Sequence, residues 1–374
     1  MEKLIGKLAN ELGINSKKLK SKFNKSFQFI EYEPSYFRFK NEIEGIEQGT
    51  VAFLGGKKIE IIRGYPKIKR VLVIETGFKK IFKEAYVEEK MNGYNVRTVS
   101  IDGNLHCITR KGLVDNYTTL RVENEINKRF FEDNPDLYLC GEVIGLQNPY
   151  QEKSYPEEND FGYYVFDIKE KKTGNPLNYD QKWKMIKKYN LKAVRNFGKY
   201  SNGKELLKLT RALGKKQREG IVIKSFDMKK ILKYTANQST NEDFRYAFNF
   251  YEDYGISFIY KRLLREAFQA YELGLSEKEL EKEASELGKS ILIPMVSTIK
   301  SISENKEVTE DFEITVPDEE FGYDFVDNLK HLGVSASIKK IRKKGENLVM
   351  KISRHYPSTN DKTKHYLKGG IDNE

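Results

Sequence analysis

The segment VEEKMNGYNVRTV, residues 87–99, carries several side chains that could act together in chemistry. It holds carboxylates, an amine, an amide and a guanidinium, on Glu88, Glu89, Lys90, Asn95 and Arg97. A lysine amine attacks only when it is neutral, which requires desolvation or a neighbouring cation to lower its pKa. Attack of such an amine on a phosphorus atom would give a phosphoramidate. The segment is therefore compatible with a covalent lysyl-nucleotide intermediate.

The dipeptide Asn92-Gly93 in the middle of this segment predicts a tight two-residue β-turn. In that hairpin Lys90 would face Asn95, and Glu88 would face Arg97. Because side chains alternate along a strand, these four side chains would share one polar face. The alternative is a plain ion pair between Glu88 and Arg97 beside a solvated Lys90, since a lone K-x-x-G is very common.

The composition is that of a globular protein with an excess of positive charge. The 374 residues suffice for two or three domains, and the net charge of +11 would attract polyanions. The same excess also fits ordinary solvated lysines, although 12% aromatic residues favour a partner such as single-stranded nucleic acid. Without a long apolar run or a signal-peptide core, we expect a cytoplasmic protein with no membrane contact. Two cysteines and four scattered histidines make a disulfide framework or a zinc site improbable.

The order of patterns along the chain predicts an α+β protein. A helical start passes into short strands, and the stretch from Tyr86 to about Tyr234 is rich in β-branched and aromatic residues, with a further turn at Asp102-Gly103. Helical spacing of apolar residues follows, and Ser276 with Glu279 predicts a capping box.

That capping box opens a helix predicted to end at Gly288. The final part is predicted as strand, helix, strand, strand. We infer four segments: a mixed N-terminal module (1–80), a β-rich centre (81–238), a helical module (239–311) and a compact α/β tail (312–374).

Six short motifs in order resemble those of the covalent nucleotidyltransferases of the polynucleotide ligase superfamily, and specifically the archaeal ATP-dependent RNA ligases that circularise RNA. The motifs are EKMNGYNVR (89–97), TRKG (109–112), LCGEVIG (139–145), YYVFDI (163–168), REGIVIKS (218–225) and LKYT (232–235). The resemblance implies a nucleotidyltransferase core of antiparallel sheets with flanking helices, followed by a helical dimerisation module. One departure is Asn92, where the superfamily usually has aspartate.

The resemblance also implies a reaction. Lys90 would attack the α-phosphorus of ATP, the AMP would pass to an RNA 5′-phosphate, and a 3′-hydroxyl would then expel it. Lys224 and Lys233 would neutralise phosphate charge, and Arg110 would contact phosphate or ribose. The alternative for Lys224 and Lys233 is that both are ordinary solvent-facing lysines.

The nucleotide would be held by further residues of the motifs. Glu142 and Glu219 lie in apolar strands, where carboxylates are costly unless paired or metal-bound. The resemblance assigns them to ribose and to Mg²⁺ or Mn²⁺, and plain ion pairs are the alternative. Phe166 would stack on adenine, with Tyr164 as runner-up and core packing as the alternative.

Glu88 is our candidate for recognising the amino group of adenine, with Glu89 as the second candidate. Asn95 and Arg97 would contact phosphate and ribose. DNA ligases and capping enzymes typically carry arginine at the position of Asn95, so asparagine there resembles the RNA ligases.

We therefore expect an ATP-dependent RNA ligase that forms a homodimer and acts on single-stranded RNA. The nearest enzymatic alternatives are a DNA ligase and a GTP-using capping enzyme, which typically follow the core with an OB-fold barrel. A catalytically silent RNA-binding protein is the alternative from another class.

Overall fold

The computed structural model describes residues 1–55, 58–150 and 154–371 and divides the chain into two compact units. Unit 1 comprises Met1–Lys69, Met91–Phe197 and Lys224–Ile231. Unit 2 comprises Arg70–Lys90, Gly198–Ile223 and the chain from Leu232 onward. The chain therefore passes from one unit to the other directly after Lys90 and directly before Lys224.

The described residues form antiparallel sheets and helices of the predicted α+β class. The strands are β1 Phe27–Ile30, β2 Tyr36–Phe39, β3 Val51–Phe53, β4 Glu60–Ile62, β5 Lys69–Arg70, β6 Ala85–Lys90, β7 Tyr94–Ile101, β8 Asn104–Thr109, β9 Leu137–Ile144, β10 Gly162–Glu170, β11 Asn196–Tyr200, β12 Gly220–Lys224, β13 Ile231–Thr235, β14 Thr309–Val316, β15 Ala336–Lys344 and β16 Asn347–His355. The helices are α1 Glu2–Leu12, α2 Ser16–Ser21, α3 Ile74–Ile81, α4 Asn116–Val122, α5 Arg129–Asp133, α6 Tyr179–Lys188, α7 Gly203–Lys215, α8 Gln238–Phe248, α9 Ile256–Leu273, α10 Glu277–Ser303, α11 Glu319–His331 and α12 Pro357–Leu367.

Unit 1 contains two four-stranded sheets. The first has the order β1-β2-β3-β4, and the amphipathic helices α1 and α2 bury Leu8 and Leu19 with its aromatic residues Phe27 and Phe37. The second has the order β10-β9-β7-β8, and all its strands pair antiparallel. The predicted turn at Asp102-Gly103 is confirmed, because both residues have positive φ and join β7 to β8.

Unit 2 is built around β6, β12 and β13, which are neighbours in a sheet of order β11-β6-β12-β13-β5. The predicted helical segment follows as α8, α9 and α10. The capping box of Ser276 and Glu279 is confirmed, but the predicted helix end at Gly288 is wrong, because α10 continues to Ser303. A glycine inside a helix costs only about 1 kcal/mol, so it does not by itself end a helix whose apolar periodicity continues.

The last part of unit 2 follows the predicted order of strand, helix, strand, strand. It forms a three-stranded sheet of order β14-β16-β15, with α11 packed against β14 and β15, and it ends with α12. The boundaries of the four predicted segments stay a prediction.

The predicted hairpin at Asn92-Gly93 is wrong. Neither residue has positive φ, and the flanking strands belong to different sheets: β6 pairs in the sheet of unit 2, whereas β7 pairs with β8 and β9. Gly93 serves a different purpose, because a Cβ atom there would lie 2.0 Å from the carbonyl oxygen of Val143 in β9. The glycine allows the chain to approach β9 closely where β7 begins, and the predicted common face of Glu88, Lys90, Asn95 and Arg97 does not exist.

None of the helices within the described ranges is long and apolar enough to cross a membrane.

Candidate active site

Lys90 is the last residue of β6 and makes an ion pair with Glu219, just before β12. Its Nζ atom lies 2.6 Å from Oε2 of Glu219, and the two side chains are 21% and 13% exposed. The main chain of Glu219 is fixed as well, because its carbonyl oxygen accepts a hydrogen bond from the amide of Ala236 at 2.8 Å. The amine of Lys90 is therefore oriented by a carboxylate, and the lysine side chain stays partly exposed.

A second ion pair joins the adjacent residues of the same two segments. Arg218 Nη1 lies 3.0 Å from Oε1 of Glu89, and both side chains are almost completely buried. Buried charges are tolerated only when they are paired, so this contact fixes the start of β12 against the end of β6. Glu89 is thus engaged within the fold. Glu88, the first candidate for contact with adenine, is 1% exposed.

Asn95 and Glu142 are direct cross-strand neighbours in unit 1. Asn95 in β7 pairs with Glu142 in β9, which pairs in turn with Tyr164 in β10. The Oδ1 atom of Asn95 is buried and accepts no hydrogen bond from any residue within the described ranges. Buried polar atoms normally have a hydrogen-bond partner. The Oδ1 atom of Asn95 is therefore an acceptor that suits a hydroxyl group of a bound ligand.

Phe166 lies at a bulge of β10, where the pairing register with β9 shifts between Val165 and Asp167. Its ring is half-buried and stands edge-on to Tyr65, with ring centroids 5.3 Å apart. Its carbonyl oxygen accepts hydrogen bonds from the amines of Lys224 at 2.8 Å and Lys182 at 3.0 Å. Phe166 and Tyr164, the runner-up, are both partly exposed.

Lys224 makes a buried ion pair that the sequence analysis did not identify. Its Nζ atom lies 2.8 Å from Oδ1 of Asp167, and both side chains are at most 2% exposed. Tyr65 donates a further hydrogen bond to this carboxylate. Burial alone would raise the pKa of Asp167, but the charges of Lys224 and Lys182 and the hydrogen bonds hold it below its ordinary value.

Arg97 is completely buried, which corrects its predicted position on a polar face. Its Nη1 atom donates to the carbonyl oxygen of Arg63 at 2.8 Å. Its Nη2 atom donates to the carbonyl oxygens of Gly49 at 2.7 Å and Thr109 at 2.9 Å. Burial lowers the pKa of the guanidinium. The side chain ties β7 to the loops beside the first sheet of unit 1, so we propose no nucleotide contact for it.

The remaining predicted cations lie at strand ends or in strands. Arg110 directly follows β8 and is exposed, and the neighbouring Lys111 anchors the loop because its carbonyl oxygen accepts a hydrogen bond from Arg38 at 2.8 Å. Lys233 lies in β13 and is partly buried, and its carbonyl oxygen accepts a hydrogen bond from the amide of Val71 at 3.1 Å.

The structure thus brings the predicted residues together in three groups. Unit 2 holds Lys90 with Glu219, and unit 1 holds the row of Asn95 and Glu142 and the cluster around Phe166 and Lys224. Sequence reasoning missed Asp167, although a carboxylate in the apolar strand YYVFDI is the same signal that identified Glu142. It also missed Lys182, a buried lysine of α6 that no signal distinguishes from other lysines.

No cluster of three or more His, Cys, Asp or Glu side chains suitable for a metal occurs in the part of the chain that the structure describes. Mg²⁺ does not require such a cluster, because it is commonly held by one or two carboxylates together with substrate phosphates and water. Partly exposed Glu142 and Glu219 have the donor chemistry for that mode of binding.

Comparisons with known proteins identify the family of the chain. The family model described as RNA ligase matches residues 83–235, and the model described as Ligase Pab1020 C-terminal region matches residues 246–370. The structure described as archaeal ATP-dependent RNA ligase, form 1, is 38% identical and superposes with a TM-score of 0.95 over 98% of this chain and 99% of that chain. The chain belongs to the archaeal ATP-dependent RNA ligase family.

Two further proteins are similar to this chain over almost its whole length. The protein MJ0414 of Methanocaldococcus jannaschii, whose function is uncharacterised, is 36% identical over 98% of this chain and 96% of its own length. A chain from Aquifex aeolicus, provisionally named an ATP-dependent DNA ligase, is 27% identical with a TM-score of 0.88 over 96% of this chain and 98% of that chain. The likeness to the RNA ligase is therefore greater in both sequence and structure.

Proposed function

We propose that this RNA ligase joins RNA 5′-phosphate and 3′-hydroxyl ends through a covalent lysyl-AMP on Lys90. The observation that carries the proposal is the partly exposed side chain of Lys90 at the end of β6, whose amine lies 2.6 Å from a carboxylate oxygen of Glu219. In the first step the amine loses a proton and attacks the α-phosphorus of ATP. A nitrogen–phosphorus bond forms, the α–β phosphoanhydride bond breaks and pyrophosphate leaves.

The second and third steps transfer and then release AMP. An oxygen of the RNA 5′-phosphate attacks the phosphorus on Lys90, which breaks the nitrogen–phosphorus bond and returns a proton to the amine. The RNA 3′-hydroxyl then attacks the activated 5′-phosphorus, and AMP leaves. Each step concentrates negative charge on phosphate oxygens, so positioned cations are the main requirement for catalysis.

The other candidate residues would bind the nucleotide and neutralise the charge of its phosphates. We assign Lys224, Lys233 and Arg110 to phosphate groups. Asn95 and Glu142 suit the ribose hydroxyls, because the buried Oδ1 atom of Asn95 is an acceptor. The half-buried Phe166 ring supplies a stacking surface for adenine, and buried Glu88 remains the candidate for its amino group.

Mg²⁺ or Mn²⁺ would be held by Glu142 or Glu219 together with substrate phosphates, and it would neutralise charge on them.

The DNA ligase and capping alternatives are less well supported. Within the described residues, the core is followed by helices α8–α10 and then by a three-stranded sheet, not by a five-stranded OB barrel. A silent RNA-binding protein would have no need for an accessible Lys90 held by Glu219.

We also propose that the enzyme is a homodimer. On α9 the exposed residues Ile256, Tyr260 and Leu263 repeat at helical spacing, and α10 exposes Leu292 and Ile293. Exposed apolar stripes of this kind mark interaction surfaces. The cytoplasm remains the predicted location.

The direct test is incubation of the protein with nucleotides labelled on the α-phosphate, followed by sealing assays on matched RNA and DNA strands. We expect ATP alone to label the protein and single-stranded RNA with a 5′-phosphate to be sealed. Transfer from GTP, or equal sealing of nicked DNA, would contradict the proposal.

A further inference from the structure

The three-stranded sheet of the last part of the chain has helix α11 on one face and a row of charged side chains on the other. On the face that α11 covers, a Cβ atom on Gly322 would lie 2.1 Å from the sulfur of Met350 in β16. Because side chains alternate along a strand, Met350 and its cross-strand partners Ile314 and Ile341 point toward α11. Lys351, which is next to Met350, lies on the opposite face.

This opposite face, which we call the outer face, is rich in cations. The pairing register places Lys340 beside Lys351 and places Arg342 beside Val349. The charged members of the outer face, including Lys339 at the bulge of β15, are Asp311, Glu313, Lys339, Lys340, Arg342, Lys344 and Lys351. Five cations thus stand against two carboxylates.

Three of the cations share the two carboxylates. Lys339 and Lys351 lie 2.9 and 3.0 Å from oxygens of Asp311, and Arg342 lies 2.7 Å from Glu313. Burial would raise the pKa of Asp311, but its hydrogen bonds to Ser353 and to the two lysines hold it well below the ordinary value. Both carboxylates are therefore already engaged.

The other two cations have no such partner. Lys340 and Lys344 are exposed, and neither makes an ion pair or a side-chain hydrogen bond with any residue that the structure describes. They are four residues apart on an edge strand and point the same way, with Arg342 between them. The spacing along a strand is about 6.6 Å per two residues, so the three cations form a row about 13 Å long.

We propose that the outer face binds the phosphate backbone of the single-stranded RNA that the enzyme seals. A row of three cations on an extended strand, two of them without an ion-pair partner, offers a series of contacts to a flexible polyanion, and binding would release the counterions of its phosphates. The inference rests on the proposed function for the identity of the strand. The alternative for Lys340 and Lys344 is protection of an edge strand against aggregation, which requires charge but no ligand.

The test compares two variants of the full-length protein. The double variant Lys340→Ala/Lys344→Ala removes the free cations, and Lys343→Ala is the matched control, since Lys343 is exposed on the same strand but on the other face. Binding of a 5′-phosphorylated single-stranded RNA is measured by fluorescence anisotropy over a range of salt concentrations. The double variant should bind about tenfold more weakly near 0.1 M salt, and its slope of log K against log salt should fall by about 1.4.

A third variant, Lys340→Arg/Lys344→Arg, keeps the charge and should bind like the wild type. Uptake of label from ATP should be unchanged in all three variants, because none of these residues belongs to the nucleotide site. Unchanged RNA affinity and salt slope in the alanine double variant, or an equal loss in Lys343→Ala, would overturn the inference. Failure of the wild type to take up label would refute the proposed function instead, and the binding measurement would be unaffected.

Discussion

Asp167 and Lys224 form an ion pair with both side chains almost entirely buried, and the same lysine donates to the carbonyl oxygen of Phe166. The contact links Lys224, the last residue of β12, to the bulge of β10. It fixes a cation that we assign to phosphate binding in one orientation, and it places that cation 5.6 Å from the centre of the Phe166 ring.

The substitution Asp167→Asn should destabilise the protein. It would leave the buried Lys224 without its counter-charge, and breaking one side of a buried pair typically costs about 3–5 kcal/mol. Thermal or denaturant unfolding measures the loss. Glu170→Gln, at the exposed end of the same strand, is the control and should change the free energy of unfolding by less than about 0.5 kcal/mol. Equal stability of the two variants would contradict the assignment.

The same pair should contribute to stability in a pH-dependent way. The pKa of Asp167 is lowered in the fold, so below about pH 4 the unfolded chain binds the proton more readily than the folded chain. The contribution of the pair is complete above the unfolded pKa and is lost as the pH falls through the folded pKa. Wild-type melting temperature should therefore drop on acidification below about pH 4. The drop should be smaller in Asp167→Asn, and parallel curves for the two proteins would show that Asp167 does not contribute.

Much of this architecture could be predicted from the sequence, because its signals are local. The capping box at Ser276 and the turn at Asp102-Gly103 both lie within a few residues of chain and were confirmed. Asn92-Gly93 carries a similar local signal, yet no hairpin forms there. Strand pairing is decided by distant partners such as Val143, and the dipeptide alone contains no information about them.

The candidate site was only partly predictable for a related reason. Lys90, Glu142 and Glu219 stand in motifs whose order can be read along the chain. The burial of Arg97 and the contacts of Lys182 depend on the packing of segments far apart in sequence. Among 66 lysines and arginines, no pattern marks the ones that end up buried.

The two neighbouring ion pairs of β6 should respond differently to loss of charge. Glu219→Gln should slow the transfer of AMP to the protein by about 10²-fold or more, because the carboxylate that orients Lys90 is lost. Its effect on stability should be small, since Lys90 remains partly exposed. Glu89→Gln should instead lower the free energy of unfolding by about 3–5 kcal/mol, because Arg218 would be left buried without a counter-charge.

Unfolding curves and single-turnover label uptake, measured on both variants, separate the two effects. A large loss of stability in Glu219→Gln together with unchanged label uptake would contradict the role given to this pair.

The apolar residues exposed on α9 and α10 predict self-association. Light scattering at micromolar concentration should give twice the mass of one chain, and Ile256→Glu/Leu292→Glu should give a monomer. Both residues are more than half exposed, so the substitutions should leave the fold intact. Tyr323→Glu is the control, because Tyr323 is an exposed aromatic residue on α11, outside the stripe. A monomeric wild-type protein would refute the proposed dimer.

The central claim is that Lys90 carries the nucleotide, and the most direct test is label uptake by Lys90→Ala from ATP labelled on the α-phosphate. We predict no protein–AMP in this variant, and none in Lys90→Arg, because a guanidinium remains protonated and cannot attack. Both variants should still seal RNA that was adenylated chemically beforehand, because that step needs no lysine nucleophile. Retention of label by Lys90→Ala at the wild-type level would contradict the account.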